Sequence, residues 1–330
     1  DIYRLSSRLA EYDDIDFEKF EVLPLHGLLR PEEQKAIFRT CEGMKKIILS
    51  TRMAETALTI EGVKVVIDIG FDKESAYDAV KRMTIIENKF IPQSSAIQRA
   101  GRAGRTTCGL CIRLYSHEQF QKLSRNKVSE IQRMDLGKVA LKLKAMGVPK
   151  IAEFDFVEKP VEGTLENTVQ HLKELGALNK HNESLTRIGE AMLQLDTDPD
   201  FSKVILEGVE RGCEHEVIDI IAMVGINSRL FSRGFDDESK ELADIQKYEI
   251  CHNTGDLMTL LNLYRTWLNQ PNKDYQHSWC HANYLRYSAF NDAKKSSKDL
   301  EKGLYVAKRL LRNQFDQVGG AQLYREDEYR

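Results

Sequence analysis

Between residues 22 and 116, short β-branched runs alternate with helical stretches, and this alternation constrains the fold more than any other feature of the chain. The runs lie at 22–25, 46–50, 64–68 and 110–115. Strands that return through helices run parallel, so this part is read as an α/β domain with a parallel sheet and flanking helices. Between the first two runs Pro31 opens a helix, where its missing N–H costs nothing. Glu32 and Glu33 sit at the positive end, and Phe38 closes the apolar face. Residues 73–93 break the rhythm. They are charged and interrupted, with Ile85, Ile86 and Phe90 as apolar islands, which predicts a β-hairpin projecting from the sheet.

After Arg125 the strand signal fades. Leu136, Val139, Leu143 and Met146 recur at helical spacing up to Gly147, and Phe154-Asp155-Phe156 leads to a boundary at Pro160. A second helix from Thr164 carries Val169, Leu172 and Leu175 and stops at Gly176. A short turn-bearing wing at 177–186 follows, and Thr186 is placed to cap a third helix. Three helices and a wing predict a winged helix, with a connecting helical bundle as the plainer alternative. From Pro199 to about Asn313 the pattern is helical throughout, as in 217–224 and 257–267, which predicts a bundle. The charged stretch 324–330 is expected to fray.

A chain of 330 residues is too long for one small core and suits two or three units. Apolar residues at 42% and charged residues at 30% exclude a disordered chain. A net charge of -3 excludes a globally basic surface, so any nucleic-acid contact must be a local groove. No apolar run approaches the roughly 20 residues that cross a bilayer, and no secretory leader pattern opens the chain. A soluble, intracellular protein without a membrane partner is expected, the compartment left open between nucleus and cytoplasm. The chain begins at Asp1 inside an amphipathic pattern (Ile2, Leu5, Leu9) without Met, as a fragment of a longer protein would. Cys41, Cys108, Cys111, Cys213, Cys251 and Cys280 are too scattered for a disulfide scaffold. Cys108 and Cys111 have C-x-x-C spacing but no second pair, so packing beside a strand is favoured over a metal or redox site, and no metal ligands are assigned.

The sharpest string is Gln98-Arg99-Ala100-Gly101-Arg102-Ala103-Gly104-Arg105, preceded by Ser94 and Ser95 as helix caps. On a helix, positions 98, 102 and 105 share one face and aim two guanidiniums and an amide at one point. Small residues at 100, 101, 103 and 104 let a backbone or a phosphate come close, which a plain basic surface helix would not need. Always-charged planar donors suit a transferring phosphoryl group, and an amide can orient an attacking water. A second string runs from Ser50 through Thr51, Arg52, Thr56 and Thr59 to Ile60, directly after a predicted strand. Loops at that end of an α/β sheet are its usual ligand side, although threonines there also serve simply as caps.

In this order the two strings resemble motifs V and VI of the DEAH-box RNA helicase family of superfamily 2. The likeness extends over roughly residues 15–290. Leu25-His26-Gly27-Leu28-Leu29 through Gln34 and Phe38 resembles the motif IV region, and 131–195 is similar to the family's winged helix. Gly255-Asp256-Leu257-Met258-Thr259-Leu260-Leu261 with Trp279-Cys280 resembles its helical ratchet domain. The resemblance implies three parts: a second RecA-like domain at 1–128 with its hairpin at about 73–93, a winged helix at 129–198, and a ratchet-type bundle at 199–330. It also implies that Arg102 and Arg105 are arginine fingers on the γ-phosphate and that Gln98 positions the hydrolytic water. Phe38, Glu61, Thr59 and Gly101 would border the nucleotide, and Thr51, Arg52, Thr56, His26 and Gly27 the RNA. For Phe38, stacking on adenine and a place in the core are equal alternatives.

Arg52 stands where family members usually carry Asn, and Ala57 where they carry Ser. The chain has no G-x-x-x-x-G-K-[ST] loop and no D-E-A-H string. ATP and Mg²⁺ are therefore expected only in an intact protein, at an interface with a missing first RecA-like domain, with the Mg²⁺ ligands outside this chain. The implied function is the C-terminal part of an ATP-dependent RNA helicase, inactive alone, with RNA as partner and a G-patch-type activator on the winged helix. The alternative is a non-enzymatic RNA-binding scaffold derived from such a motor. A winged-helix DNA-binding regulator leaves the arginine strip unexplained. The hairpin would act as a wedge on RNA, or else be an ordinary surface hairpin.

Overall fold

A computed structural model describes residues 2–12, 19–27, 29, 31–39, 43–56, 58–78, 83–105, 108–232 and 237–312. The expected frayed end at 324–330, Ala57 and residues 79–82 of the expected hairpin segment lie outside the described residues. The chain divides into two compact units, Asp1–Met134 and Asp135–Arg330.

The first unit opens with helix α1 (Ile2–Ala10), strand β1 (Phe20–Leu25) and helix α2 (Pro31–Lys35), which one 3₁₀ turn, Ala36–Phe38, continues. Strand β2 (Lys45–Ser50), the one-turn helix α3 (Met53–Thr56) and strand β3 (Val65–Asp68) follow. The hairpin strands β4 (Phe71–Asp78) and β5 (Met83–Phe90), helix α4 (Gln93–Ala100), strand β6 (Leu110–Arg113) and helix α5 (His117–Lys122) complete it. The parallel strands expected from the sequence are present as two ribbons. β1 pairs with β2 from Phe20 opposite Lys45 to Leu25 opposite Ser50, and β3 pairs with β6 from Val65 opposite Leu110 to Asp68 opposite Arg113. Among the described residues no ladder joins one ribbon to the other. Side chains alternate along a strand, so Val65, Ile67, Leu110 and Ile112 form one exposed face while Asp68 is buried on the other.

Two local expectations change. The tighter 3₁₀ turn rotates the chain after α2, so Ile37 is the buried residue and Phe38 stays 51% exposed. Phe38 is therefore not a core aromatic. The hairpin strands begin at Phe71 rather than 73, and residues 91–93 lead into α4 instead of belonging to the hairpin. Its base is closed by the Phe71 and Phe90 rings, 4.1 Å apart, with Phe71 directly opposite Phe90 in register. Lys127 pairs with Glu74 at 3.2 Å, and Arg133 donates to the Ser75 carbonyl, which fixes one strand of the hairpin to the segment at 127–133. Ile86 is left exposed.

The second unit is helical: α6 (Gly137–Ala145), α7 (Thr164–Glu174), α8 (Arg187–Gln194), α9 (Pro199–Glu210), α10 (Glu214–Val224), α11 (Asn227–Leu230), α12 (Asp237–Glu249), α13 (Asp256–Leu268), α14 (Lys273–Ala282) and α15 (Tyr287–Arg312). Gly176, with φ of 76°, ends α7, and Leu178 bridges Leu185 antiparallel as the short wing. Thr186 caps α8 as the sequence indicates, its Oγ1 accepting from the Gly189 N–H at 3.1 Å. α6, α7, the short Leu178–Leu185 bridge and α8 come first, and the helices α9 to α15 follow. One core gathers Leu172, Leu178, Met192, Ile205, Ile218 and Leu304, while a second is built on Trp267 stacked on Phe290 at 5.2 Å. α15 runs through both, giving Leu300, Leu304 and Ala307 to the first and Ala289, Phe290 and Ala293 to the second. At 26 residues it is about 39 Å long.

Candidate active site

The strip at 98–105 is set by the loop on which α4 starts. Ser94 and Ser95 do not cap the helix: the N-cap is Pro92, and no side chain caps the end. Instead the Gln93 N–H donates to the Ser124 carbonyl and the Ser94 N–H to the Arg125 carbonyl. Backbone acceptors thus satisfy two of the amides that a serine hydroxyl would otherwise serve. The α-helix closes at Ala100 rather than running through the strip, and residues 101–104 continue as turns. Gly109 packs this turn against the segment leading into β6. A Cβ there would lie 2.1 Å from the Ala103 carbonyl oxygen, so only glycine permits the approach.

The three arginines of the strip have different surroundings. Arg99 is taken up by protein: Nε donates to Glu55 Oε2 at 2.9 Å, and one terminal nitrogen donates to Asp68 Oδ1 at 2.9 Å. Burial alone would lower its pKa, but the Glu55 and Asp68 hydrogen bonds raise it overall. Asp68 is satisfied on every side, accepting also from the Gly70 N–H at 3.0 Å and the Tyr115 hydroxyl at 2.8 Å. Burial first, and then the Asp68 carboxylate, push the Tyr115 phenol well above its ordinary value.

Arg102 and Arg105 meet only uncharged oxygens. Arg102 donates to the Leu58 carbonyl at 2.7 Å and to the Glu55 carbonyl, and Arg105 donates to the Thr59 hydroxyl. Among the described residues no carboxylate stands within ion-pair distance of either. The Arg102 pKa is depressed, first by burial and then by the like charge of Arg105, with the Glu55 carboxylate opposing both. Glu55, Gln98, Gly101, Arg102 and Arg105 line one open cleft of about 330 Å³. An added Cβ at Gly104 would meet nothing within 4 Å, so no internal packing demands glycine there. The cleft thus gathers two guanidiniums without an ion-pair partner, an amide, accessible backbone and, at one edge, the Glu55 carboxylate that Arg99 holds.

The other residues singled out in the sequence do not line this cleft. Thr51 continues the β1–β2 ladder with its N–H on the Leu25 carbonyl, and Arg52 pairs with Asp72 at 3.3 Å. Thr56 is the last residue of α3, its side chain outside the description. His26 is bonded to the Tyr3 hydroxyl at 2.9 Å, with Gly27 exposed beside it. Phe38 is exposed, and Glu61 lies in an exposed turn. Glu55, Asp68, Arg99 and Tyr115 were not singled out. The available signal was an acid ending the apolar run of β3. Among the described residues no group of three metal-ligating side chains occurs, and Glu55, the one carboxylate in the cleft, is held by Arg99. These residues do not fit a Mg²⁺ ion.

The family model described as helicase conserved C-terminal domain matches residues 4–107, and that of the helicase-associated (HA2), ratchet-like domain matches residues 198–260. ATP-dependent RNA helicase DEAH12, chloroplastic, of Arabidopsis thaliana is 41% identical over 283 residues, which are 84% of this chain and 16% of that protein. ATP-dependent RNA helicase DHX33 of Mus musculus is 36% identical over 268 residues, 80% of this chain and 37% of that protein. The crystal structure of the E. coli DExH-box NTPase HrpB superposes with a TM-score of 0.66 at 24% identity, over 91% of this chain and 31% of that one, a likeness of fold. The chain thus spans well under half the length of these relatives.

Proposed function

Because this chain belongs to the DEAH-box RNA helicase family, we propose that it supplies half of an ATP-hydrolysing site and part of the RNA path of an ATP-dependent RNA helicase. The observation that carries this reading is the contrast within the strip. Arg99 is ion-paired to two carboxylates, while Arg102 and Arg105 make no ion pair among the described residues and open on the cleft. Two like charges brought together without an ion-pair partner favour a bound anion.

In the proposed reaction Gln98 orients a water for attack on the γ-phosphorus of ATP. The bond from that phosphorus to the β–γ bridging oxygen breaks, releasing ADP, inorganic phosphate and a proton. Arg102 and Arg105 would stabilise the charge that gathers on the γ-phosphoryl and bridging oxygens, the role of an inserted arginine. Phosphate cradle and Mg²⁺ ligands would come from a first RecA-like domain. Thr59 and Gly101 border the nucleotide in this scheme, with Phe38 and Glu61 at its base and ribose. Thr51, Arg52, Thr56, His26 and Gly27 would face RNA. The partition into a RecA-like domain at 1–128, a winged helix at 129–198 and a ratchet bundle at 199–330 belongs to the same proposal, as does a G-patch-type activator on the winged helix.

The test is the purified 330-residue chain, which is expected to show no RNA-stimulated ATP hydrolysis. Turnover above background that disappears on changing Arg105 would contradict the division of the site. A full-length protein that binds RNA but never turns over ATP would favour the scaffold reading.

A further inference from the structure

The arginine that does not reach the cleft has its own part in the site. We propose that Arg99 is a positioning residue for hydrolysis, holding in place the Glu55 carbonyl on which the Arg102 guanidinium rests. This role rests on Arg102 acting in hydrolysis. Glu55 is bonded twice, at opposite ends: its carboxylate accepts from Arg99 at 2.9 Å, and its backbone oxygen accepts from Arg102. It sits in α3, a helix of four residues. One turn cannot support itself, because its ordering cost is met by a single hydrogen bond or none. Tertiary contacts must therefore fix where the carbonyls of residues 55 and 58 stand, and Arg102 is bonded to both.

Arg99 supplies such a contact, and its own footing is firm. Its other partner, Asp68, has a fully buried side chain tied to the Gly70 N–H and the Tyr115 hydroxyl. Arg99 also donates to the Phe71 carbonyl at 3.3 Å. A connected path therefore leads from the β3–β6 ribbon through Asp68, Arg99 and Glu55 to Arg102. A buried ion pair adds little net stability compared with apolar packing, since desolvation offsets its attraction, but it fixes geometry. Displacing a catalytic group by about 1 Å costs about 10²-fold in rate.

The experiment compares Arg99→Lys, Arg102→Ala and the double variant in the full-length protein by RNA-stimulated ATP hydrolysis. Lysine keeps the charge but cannot serve two carboxylates from a rigid fork. Arg99→Lys is expected to lower kcat by about 10²-fold with KM for ATP changed by less than about threefold. Added to Arg102→Ala, it is expected to cost less than a further threefold or so, because it acts through the group already removed. If Arg99→Lys does not fold, Glu55→Gln gives the second arm, since it weakens the pair and leaves the backbone carbonyl in place. It is expected to show the same kcat-only loss and the same non-additivity. Losses that multiply in the double variant, or wild-type kcat in Arg99→Lys, overturn the positioning role while Arg102 remains a finger. Wild-type turnover in Arg102→Ala removes the finger, and the positioning role with it.

Discussion

Replacing Asp68 by alanine removes the acceptor on which three donors converge: the Arg99 guanidinium, the Gly70 N–H and the Tyr115 hydroxyl. A hydrogen bond to a charged group contributes about 1.5–3 kcal/mol, and a buried donor left unpaired costs about 1–3 kcal/mol. The losses do not simply add, because Arg99 keeps Glu55 and the Phe71 carbonyl, and water reaches the half-buried Tyr115. A net cost of about 3–5 kcal/mol follows, the range for breaking a buried pair from one side. Set against a typical domain stability of about 5–15 kcal/mol, this is a large fraction. Urea denaturation of the purified chain gives the total, and amide hydrogen exchange gives its location. Exchange in β3 and β6 should quicken by about 10²-fold or more, and Asp68→Asn, which retains one acceptor, should fall between the two. A cost below about 1 kcal/mol, as for an exposed ion pair, would refute the account of Asp68 as the anchor of the strip.

Two further outcomes are expected. Burial raises the Asp219 pKa more than its Ser297 hydrogen bond lowers it. The folded state therefore binds the proton more tightly than the unfolded state, and stability falls as pH rises from the ordinary carboxylate range through the raised value. Asp219→Asn should thus be more stable than wild type at pH 7 in thermal unfolding, and the gain should vanish in acid; a loss at pH 7 would contradict it. In the full-length protein, replacing residues 81–89 with a short Gly-Ser turn should impair duplex unwinding while RNA-stimulated hydrolysis largely survives. Unwinding at the unmodified rate, with the fold intact by circular dichroism, would remove the hairpin from the mechanism.

What was legible in the sequence was what depends on periodicity and end signals. The β-branched runs became β1, β2, β3 and β6, Gly176 ends α7, and Thr186 caps α8 through its own hydroxyl. The convergence of Gln98, Arg102 and Arg105 was also legible, although the helix carrying that register closes at Ala100 and turns complete it. The exposure of Phe38 was not, because it hangs on one 3₁₀ turn that carries Ile37 inward in its place. Nor were the roles of the three arginines, which have identical chemistry in the string. Only the tertiary placement of Glu55 and Asp68, 44 and 31 residues from Arg99, separates the ion-paired one from the two that are not.

The central claim is that Arg102 and Arg105 act on charge that develops during hydrolysis rather than on bound RNA. It is tested most directly by Arg105→Ala in the full-length protein, with kcat for ATP and the Kd for RNA measured on the same preparation. The account predicts a fall in kcat of about 10²-fold or more with RNA affinity nearly unchanged. An equal loss in RNA binding would put Arg105 in the RNA path, and an unchanged kcat would contradict the account outright.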